Sequence, residues 1–306
     1  MNELLLAELQ RVAPLRRDEP LSSHTTLGVG GPADLYLAVD TEEQLRAAFT
    51  IARRHGVPTL ILGAGSNILV GDGGIRGLVI ENRTSRADGP SPNGAEFKVR
   101  AASGVSFAAL ARRLSFAGYA GLEWAIGIPG TLGGAVVYNA GAYGSCLRDV
   151  LKGIRLAEER GDVTEMGPEE LALGYRGSGF TRGILRDKVV LSVDLALHRG
   201  DAEALTRYVQ ELDARRKAAQ PPGRSCGSVF KNPAEHPAWW LIDQVGLRGH
   251  RIGNAQISER HTNFILNLGG ATAADVVALM ELARSRVRER FGIELEPEVA
   301  LVGEFV

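Results

Sequence analysis

The sequence has few cysteines and no long apolar run, and each of these absences limits the kinds of protein it can be. Two cysteines occur in 306 residues, Cys146 and Cys226, and their wide separation matches no paired metal or redox motif. We therefore expect two reduced thiols and no bound metal. No stretch approaches the ~20 apolar residues of a membrane helix, so no membrane span is expected. The opening MNELLLAELQRV lacks a basic lead and predicts an amphipathic helix rather than a signal peptide, which suggests a cytoplasmic protein.

The charge balance shows no excess of either sign. Lys and Arg total 35, Asp and Glu total 36, and the formal net charge is -1. A nucleic-acid partner held by bulk positive charge is therefore not expected, and any anion site must be a local cluster. The 44% hydrophobic and 23% charged residues are typical of a globular protein and argue against disorder or coiled coil. Glycine is abundant, with 38 residues, and glycine marks turns and places where backbone closely approaches a ligand.

The apolar pattern predicts an α/β region followed by an α+β region, with a boundary near 198–203. The clearest helix covers residues 41–55, where Thr41 and Gln44 form a capping box. Further helices are expected at 106–117, 203–218 and 272–291, and strands at 59–62, 77–82, 97–104, 154–159, 188–197 and 294–303, with an apolar run at 68–70. The polar, Gly/Pro-rich residues 84–96 predict a loop or a subdomain seam.

Two glycine clusters could be dinucleotide fingerprints, and neither fits that interpretation. A Rossmann fingerprint follows a strand and opens a helix, whose N-terminus holds the pyrophosphate. Gly28–Gly31 precedes PADLYLAV, which is a strand pattern, so a plain turn is favoured. Gly63–Asn67 (GAGSN) follows a strand but lacks the third glycine and the helix. The sequence also contains no GxxxxGK[ST], which excludes a P-loop NTPase.

GAGSN can still bind a phosphate group. Consecutive backbone N–H groups form a nest for an anion, and Ser66 and Asn67 add side-chain donors, although a structural turn is the alternative. Residues 127–144 contain six glycines, and Gly130–Gly134 offers a second set of backbone donors. Two nests far apart in the sequence suit a long ligand with a diphosphate and a planar ring, such as a flavin dinucleotide.

Seven ordered motifs carry a resemblance to a known family. They are HTTLGVGGPAD (24–34), LGAGSN (62–67), GIPGTLGGAVVYNAGAYG (127–144), GYRGSGF (174–180), SCGSVFKNP (225–233), HRIGNAQISERHTNFILN (250–267) and LEPEV (295–299). This set resembles the UDP-N-acetylenolpyruvoylglucosamine reductases, flavoenzymes of peptidoglycan precursor synthesis. The resemblance implies an α+β protein with an FAD-binding fold of the vanillyl-alcohol-oxidase/p-cresol-methylhydroxylase type. Its two α/β subdomains would be residues 1–84 and 85–200, followed by an α+β substrate domain at 201–306.

The resemblance also implies the ligands: non-covalent FAD, NADPH as co-substrate and a UDP-sugar substrate, in a monomeric enzyme. Non-covalent binding is expected because the flavin loops offer Ala64 and Ser66 rather than His, Cys or Tyr. The residues implied to contact FAD are Gly63, Ala64, Gly65, Ser66, Asn67, Gly127, Ile128, Pro129, Gly130, Thr131, Gly134, Ala135, Asn139, Gly141 and Ala142. Those implied to bind substrate are Tyr175, Arg224, Lys231, Asn232, Gln256 and His261, with a structural role for His261 an equal alternative.

The chain departs from the family pattern in two places. One subclass inserts a tyrosine loop between the Tyr-Arg and Gly-Ser motifs, and the short interval from Arg176 to Ser228 leaves no room for it. Ala219 stands where the family tends to place a lysine before Gln-Pro. Lys217, Arg216 or Arg224 could replace that lysine, so the residue that holds the substrate diphosphate stays open.

The implied reaction reduces an enolpyruvyl ether to a lactyl ether. Hydride passes from NADPH through the flavin to the vinyl carbon distal to the carboxylate, and charge develops as an enolate. Arg176 would bind the carboxylate, Glu298 would donate a hydrogen bond as a protonated acid, and Ser228 would protonate the enolate. Glu296 is the alternative to Glu298. Other readings are a different flavin oxidoreductase of the superfamily, such as a hydroxy-acid dehydrogenase, or a non-catalytic nucleotide-sugar-binding regulator.

Overall fold

A computed structural model describes residues 3–305. The chain forms two compact units. Unit 1 comprises Tyr36–Gly63, Leu78–Arg215 and the described part of Met1–Arg16, and unit 2 comprises Arg17–Leu35, Ala64–Gly77 and the described part of Arg216–Val306. Each unit therefore combines segments that are distant in sequence. The three predicted domains, 1–84, 85–200 and 201–306, stay a prediction.

The helices and strands of residues 3–305 follow in chain order. The helices are α1 (Glu3–Val12), α2 (Glu42–Arg54), α3 (Phe107–Phe116), α4 (Leu132–Val137), α5 (Ala202–Ala219), α6 (Ala238–Gln244) and α7 (Ala273–Phe291). The strands are β1 (Leu15–Pro20), β2 (Pro32–Val39), β3 (Thr59–Leu62), β4 (Ile68–Val70), β5 (Ile75–Asn82), β6 (Ala87–Asn93), β7 (Glu96–Ala102), β8 (Tyr119–Ala120), β9 (Gly141–Ala142), β10 (Ser145–Cys146), β11 (Leu151–Ala157), β12 (Val163–Met166), β13 (Val189–Arg199), β14 (Arg251–Ile252), β15 (Ala255–Ile257), β16 (Ile265–Asn267) and β17 (Ala300–Val302).

The predicted helix caps are confirmed. The Thr41 side chain accepts the N–H of Gln44, and the Gln44 side chain accepts the backbone N–H of Thr41, which completes the capping box of α2. Thr272 and Asp275 form the same arrangement at α7. These contacts satisfy backbone donors that have no partner inside the first helical turn, so both helices begin where the sequence predicts.

Unit 1 is built on an antiparallel sheet with the strand order β12-β11-β13-β7-β6. Its core contains apolar side chains from the sheet, α3 and α4, with Phe107 against Trp124 edge to face at a centroid distance of 5.6 Å. Strand β3 pairs in parallel with β5 in the same unit. The end of β3 leads directly to the first predicted flavin loop.

The prediction of a loop at 84–96 is wrong. Residues Ala87–Asn93 form β6, the edge strand of the sheet, which joins β7 through a hairpin around Gly94. An edge strand tolerates proline because one side of it needs no ladder hydrogen bonds. A register irregularity between Asp88 and Ser91 accommodates Pro90. The Gly/Pro composition therefore marked an irregular edge strand rather than a seam.

Unit 2 has a second core around α6, α7 and the antiparallel strands β14, β15 and β16. Buried side chains of α7 include Val276, Leu279 and Met280. Strand β17 pairs in parallel with β4, with Ala300 opposite Ile68. This pairing brings the segment after the LEPEV motif beside the segment after GAGSN. No helix in residues 3–305 has both the length and the apolar character that crossing a membrane requires.

Candidate active site

Arg176 lies in a tight turn of unit 1. The N–H of Gly174 donates to the carbonyl of Gly177 at 2.9 Å, and the N–H of Gly177 donates back at 3.4 Å. Tyr175 and Arg176 are the two residues between them, and Arg176 has a φ of 50°. This left-handed conformation costs an ordinary residue about 1–2 kcal/mol, so the neighbouring structure must hold it. The guanidinium lies 5.6 Å from the centre of the Tyr175 ring, and Tyr175 is exposed.

Two side chains attach this turn to the end of α4. The amide nitrogen of Asn139 donates to the carbonyl of Gly174 at 2.9 Å. The hydroxyl of Ser178 donates to the carbonyl of Val137 at 2.7 Å and accepts the N–H of Phe180. Asn139 and Ser178 are both buried. The serine of the Tyr-Arg-x-Ser motif is thus a structural partner of the arginine turn.

The two predicted flavin loops meet in unit 1 through Gly63 and Thr131. A Cβ atom on Gly63 would lie 2.6 Å from the hydroxyl oxygen of Thr131, so only glycine fits there. Thr131 is also the N-cap of α4, because its hydroxyl accepts the N–H of Gly134 at 3.3 Å. Helix α4 was not predicted. The two glycines and one alanine of this segment are typical of a loop. Thr131 was the one sequence feature that indicated the start of a helix, because threonine is a favoured N-cap residue.

The second set of donors is smaller than predicted. The N–H groups of Leu132 and Gly133 donate to the carbonyls of Val105 and Ser103, so they are occupied within the protein. The N–H groups of Gly130 and Thr131 have no backbone partner in the described part of the chain. Tertiary structure makes this difference, because the N–H groups of Leu132 and Gly133 bind the turn that precedes α3.

The predicted FAD contacts in unit 1 fit a phosphate group at this corner. Gly134 is exposed, and a Cβ there would meet only the Thr131 hydroxyl, at 3.5 Å. An open glycine surface beside two unpaired backbone donors is suited to an anionic oxygen. Gly141 instead serves its own hairpin, because a Cβ would lie 2.9 Å from the Cys146 Cβ atom. The remaining predicted contacts flank these residues: Gly127, Ile128 and Pro129 before Thr131, Ala135 within α4, and Ala142 beside Gly141.

The rest of the GAGSN loop belongs to unit 2, where Thr26 organises it. The Thr26 N–H donates to the carbonyl of Gly65 at 3.0 Å, and its hydroxyl donates to the carbonyl of Ser225 at 2.6 Å. Gly65 has a φ of 62°, and a Cβ there would collide with the carbonyl oxygen of His24. Thr26 lies in the HTTLGVGGPAD motif, but no role was predicted for it. Ala64 is exposed, and Ser66 is half-buried.

Ser228 and Glu298 lie on neighbouring segments of unit 2. The Glu298 N–H donates to the carbonyl of Val229 at 2.8 Å, and Phe230 forms an isolated bridge with Pro297. Ser228 itself bridges to Phe264 and is half-buried. Within residues 3–305 its hydroxyl has no hydrogen-bond partner, and the space beside Gly227 is open. Two of the three predicted catalytic residues are therefore adjacent in one unit, while Arg176 belongs to the other.

The geometry distinguishes Glu298 from its alternative. Glu296 is exposed and pairs with the ammonium of Lys231. Glu298 is half-buried, and its backbone is fixed to Val229. The ammonium group of Lys231 is consequently engaged in an ion pair within the protein. Asn232 is exposed and accepts the N–H of Ala238 at 3.0 Å, so its side chain caps α6.

The remaining predicted substrate residues lie elsewhere in unit 2. Arg224 is exposed and pairs with Asn267 through its backbone. Gln256 is on β15, and its amide donates to the carbonyl of Gly249 at 3.1 Å. His261 packs edge to face on Phe264, with ring centres 4.8 Å apart, and its buried Nδ1 atom has no hydrogen-bond partner among residues 3–305. Burial lowers the pKa of His261 and favours the neutral imidazole.

The two cysteines are free thiols, as predicted. Cys226 is buried two residues before Ser228. Burial raises the pKa of its thiol from 9.0 to about 12, because an apolar environment disfavours the thiolate. A protonated, inaccessible thiol is a poor nucleophile, which argues against Cys226 as a nucleophile.

Comparison with protein families identifies both parts of the chain. Residues 33–167 match the model of the FAD binding domain. Residues 218–302 match the model of the UDP-N-acetylenolpyruvoylglucosamine reductase C-terminal domain. The first match contains α4 and most of the flavin-loop residues, and the second contains Ser228 and Glu298.

Individual relatives agree over nearly the whole length. The UDP-N-acetylenolpyruvoylglucosamine reductase of Rubrobacter xylanophilus is 46% identical over 97% of this chain and 98% of its own. The enzyme of Lachnoclostridium phytofermentans is 39% identical over 100% of this chain and 99% of its own. The crystal structure of the Thermus caldophilus reductase superimposes with a TM-score of 0.77 at 36% identity, covering 95% of this chain and 99% of that chain.

These matches define the chain as an FAD-dependent oxidoreductase. It belongs to the UDP-N-acetylenolpyruvoylglucosamine reductase family. The predicted family, the use of FAD and the α+β fold with an FAD-binding domain are confirmed. The site residues within that fold stay predictions, and their roles are proposed below.

Proposed function

We propose that the chain reduces UDP-N-acetylglucosamine enolpyruvate to UDP-N-acetylmuramate with NADPH, using Arg176, Ser228 and Glu298. The observation that carries this proposal is the pairing of the Ser228 and Glu298 segments in unit 2, where the Glu298 N–H donates to Val229 at 2.8 Å. A proton donor and a carboxyl group on adjacent, half-buried segments suit a reaction that develops charge at one carbon and its carboxylate. Bound FAD supplies the hydride transfer.

Arg176 binds the substrate carboxylate. A guanidinium stays charged at every relevant pH and forms two parallel hydrogen bonds with a carboxylate. Its positive charge stabilises the electrons that move into the carboxylate as the enolate forms. The left-handed φ of 50° supports this role, because backbone strain of this kind concentrates at functional sites.

Ser228 delivers the proton to the enolate carbon. A serine hydroxyl is a very weak acid, so it acts only on a strongly basic carbon, and an enolate provides one. The absence of a hydrogen-bond partner for its hydroxyl within residues 3–305 supports this role, since a committed hydroxyl would be held elsewhere. The motif is not that of a hydrolase, because residues 226–230 read CGSVF rather than Gly-x-Ser-x-Gly.

Glu298 assists at the carboxylate as a protonated acid. A second ionised carboxylate there would repel the substrate, whereas a protonated one donates a hydrogen bond. Its half-buried position and the contact of its segment with Val229 favour Glu298 over exposed Glu296, which is paired with Lys231.

The residues that would hold FAD are Gly63, Gly130, Thr131 and Gly134 in unit 1 and Gly65 to Asn67 in unit 2. Gly134 offers an open surface beside the backbone N–H groups of Gly130 and Thr131, and this arrangement suits a diphosphate. The sequence contains no Rossmann fingerprint that would hold NADPH at a site of its own, so NADPH and the UDP-sugar take turns at one pocket. Parallel double-reciprocal lines support this scheme, whereas intersecting lines and a measured ternary complex reject it.

Purified protein tests the function directly. Its absorption spectrum should show flavin bands, and the bands should bleach with NADPH and return on addition of UDP-N-acetylglucosamine enolpyruvate. A colourless protein would favour the nucleotide-sugar-binding regulator. If a keto acid restored the bands and the UDP-sugar did not, the result would favour a hydroxy-acid dehydrogenase, because the keto acid re-oxidises the flavin as it is reduced to the hydroxy acid. The monomeric state and the cytoplasmic location stay predictions, to be tested by light scattering and by fractionation.

A further inference from the structure

The turn that carries Arg176 needs outside support. With a φ of 50°, Arg176 occupies a conformation that non-glycine residues leave when nothing holds them. The reciprocal bonds between Gly174 and Gly177 close the turn, but one of them is long, at 3.4 Å. If the turn relaxed, the side chain would leave from the backbone in a different direction. The direction of the guanidinium therefore depends on contacts outside the turn.

Asn139 provides the contact at the first residue of the turn. Its Nδ2 atom donates to the carbonyl of Gly174 at 2.9 Å, and its Oδ1 atom accepts the N–H of Arg148 at 3.1 Å. The orientation of the amide is unambiguous, because the Gly174 carbonyl only accepts and the Arg148 N–H only donates. Asn139 is buried, so water does not compete for these bonds.

Both polar atoms of the Asn139 side chain thus form hydrogen bonds within the protein. Its φ of 42° is a conformation that asparagine tolerates better than most residues. Ser178 supplies a second contact with the same segment, through its bond to Val137 at 2.7 Å. Both contacts attach the turn to the C-terminal end of α4, whose N-cap Thr131 lies against Gly63.

We propose that Asn139 is a positioning residue for Arg176: its amide holds the Tyr175–Arg176 turn in the geometry that binds the substrate carboxylate, and it does not bind the flavin through its side chain. The proposal rests on the proposed role of Arg176. It assigns to Asn139 a role different from the flavin contact that the motif resemblance implies. Short helix α4 then links the flavin corner, at its start, with the substrate-binding arginine, at its end.

Two substitutions isolate the bond. Asn139→Gly removes both side-chain contacts and keeps a residue that favours a positive φ. Asn139→Asp keeps the acceptor for the Arg148 N–H and replaces the donor to Gly174 with a carboxylate oxygen. Asn93→Gly, at the exposed hairpin of β6, is the matched control. Each variant is purified as holoenzyme, and its flavin content, thermal unfolding midpoint and two half-reactions are measured.

Both Asn139 variants should keep their flavin and their rate of reduction by NADPH. Re-oxidation by the enolpyruvyl substrate should slow by about 10²-fold, the cost of misplacing a binding group by about 1 Å, and the KM for that substrate should rise. Combining Asn139→Gly with Arg176→Ala should slow re-oxidation no further than Arg176→Ala alone, because both remove the same interaction. Asn93→Gly should leave both half-reactions unchanged.

Other outcomes overturn the proposal. Loss of flavin from folded Asn139→Gly and Asn139→Asp would make Asn139 a cofactor ligand, and additive effects with Arg176→Ala would make its action independent of Arg176. If Asn139→Gly does not fold, Asn139→Asp and Ser178→Ala carry the same comparison, and unchanged re-oxidation in both rejects the positioning role. Unchanged re-oxidation in Arg176→Ala itself is a separate result, because it rejects the proposed function of Arg176.

Discussion

The amide nitrogen of Asn67 donates a hydrogen bond to the main-chain oxygen of Glu298 at 3.2 Å. Two residues after Glu298, the roles are exchanged: the N–H of Ala300 donates to the main-chain carbonyl of Asn67 at 3.1 Å. The parallel pairing of β17 with β4 continues from this point. The end of the glycine loop therefore holds the backbone of the proposed catalytic glutamate, through residues that are far apart in sequence.

Asn67→Ala should weaken this attachment. Loss of one hydrogen bond should lower the free energy of unfolding by about 1 kcal/mol. The Glu298 segment should also become more mobile, so in the fraction of protein that retains FAD, re-oxidation by the enolpyruvyl substrate should slow more than reduction by NADPH. Denaturant unfolding and stopped-flow absorbance measure the two effects. Equal losses in both half-reactions would contradict a specific link to Glu298.

Arg176→Gly should separate stability from activity. Glycine adopts a positive φ without strain, so the free energy of unfolding should stay level or rise by about 1 kcal/mol. Loss of the guanidinium should lower kcat/KM for the enolpyruvyl substrate by about 10²–10³-fold, the usual cost of removing one group that stabilises developing negative charge.

Arg176→Lys is the matched comparison for that variant. It keeps the positive charge and loses the planar fork, so it should recover only part of kcat/KM and should keep the strained turn. Thermal unfolding and steady-state kinetics cover both variants. Full activity in Arg176→Gly would remove Arg176 from the mechanism.

Ser228→Ala should affect one half-reaction only. Reduction of the flavin by NADPH needs no proton at the substrate carbon and should continue nearly unchanged. Re-oxidation by the enolpyruvyl substrate should slow by at least ~10²–10⁴-fold, the range for a lost general acid. Ser228→Cys should recover part of the rate, because a thiol is more acidic than a hydroxyl. Equal slowing of both steps in Ser228→Ala would assign Ser228 a positioning role instead.

The flavin site is better tested at Gly134 than at Gly65. A substitution at Gly65 collides with the His24 carbonyl, so loss of flavin there would report on folding. Gly134→Val adds side-chain atoms where only the Thr131 hydroxyl lies within 4 Å, at 3.5 Å. We expect a folded protein with reduced flavin absorbance.

Gly133→Ala is the contrasting variant, because its Cβ would lie 2.9 Å from that of Ser103. Overpacking of the core should lower the free energy of unfolding by about 1–3 kcal/mol. Circular dichroism and the ratio of flavin to protein absorbance distinguish the two. Full flavin content in Gly134→Val would place the cofactor elsewhere.

Cys226 should make the fold sensitive to alkali. The pKa of its thiol is about 12 in the folded protein and 9.0 as the ordinary value, so the folded state keeps its proton over a pH range in which the unfolded state loses it. The stability contribution is therefore complete below pH 9 and declines as pH rises from 9 towards 12.

Cys226→Ala should flatten this part of the pH profile, as measured by denaturant unfolding at several pH values. Half-buried Cys146 should react with a thiol reagent in the native protein, and Cys226 should react only after unfolding. Rapid modification of native Cys226 at neutral pH would contradict the burial.

Local patterns in the sequence determined much of this protein. The capping residues Thr41 and Thr272 predicted helix starts, since caps act within one turn of backbone. The apolar runs predicted β3 and β13. The motif set identified the family and hence FAD, because it is specific over the whole length of the chain. Edge strand β6 escaped prediction, as its proline and glycine content resembles that of a loop.

Tertiary structure alone decided which donors and side chains are available. The N–H groups of Leu132 and Gly133 were predicted to be free for a ligand and are instead bound to the segment before α3. Lys231 and Asn232 follow Ser228 in sequence, yet one pairs with Glu296 and the other caps α6. Hydrogen bonds and ion pairs between segments distant in sequence determine which groups can bind a ligand, because a donor or acceptor that is bonded within the fold is not available to one. Local sequence patterns cannot predict these contacts, since they depend on how distant segments pack.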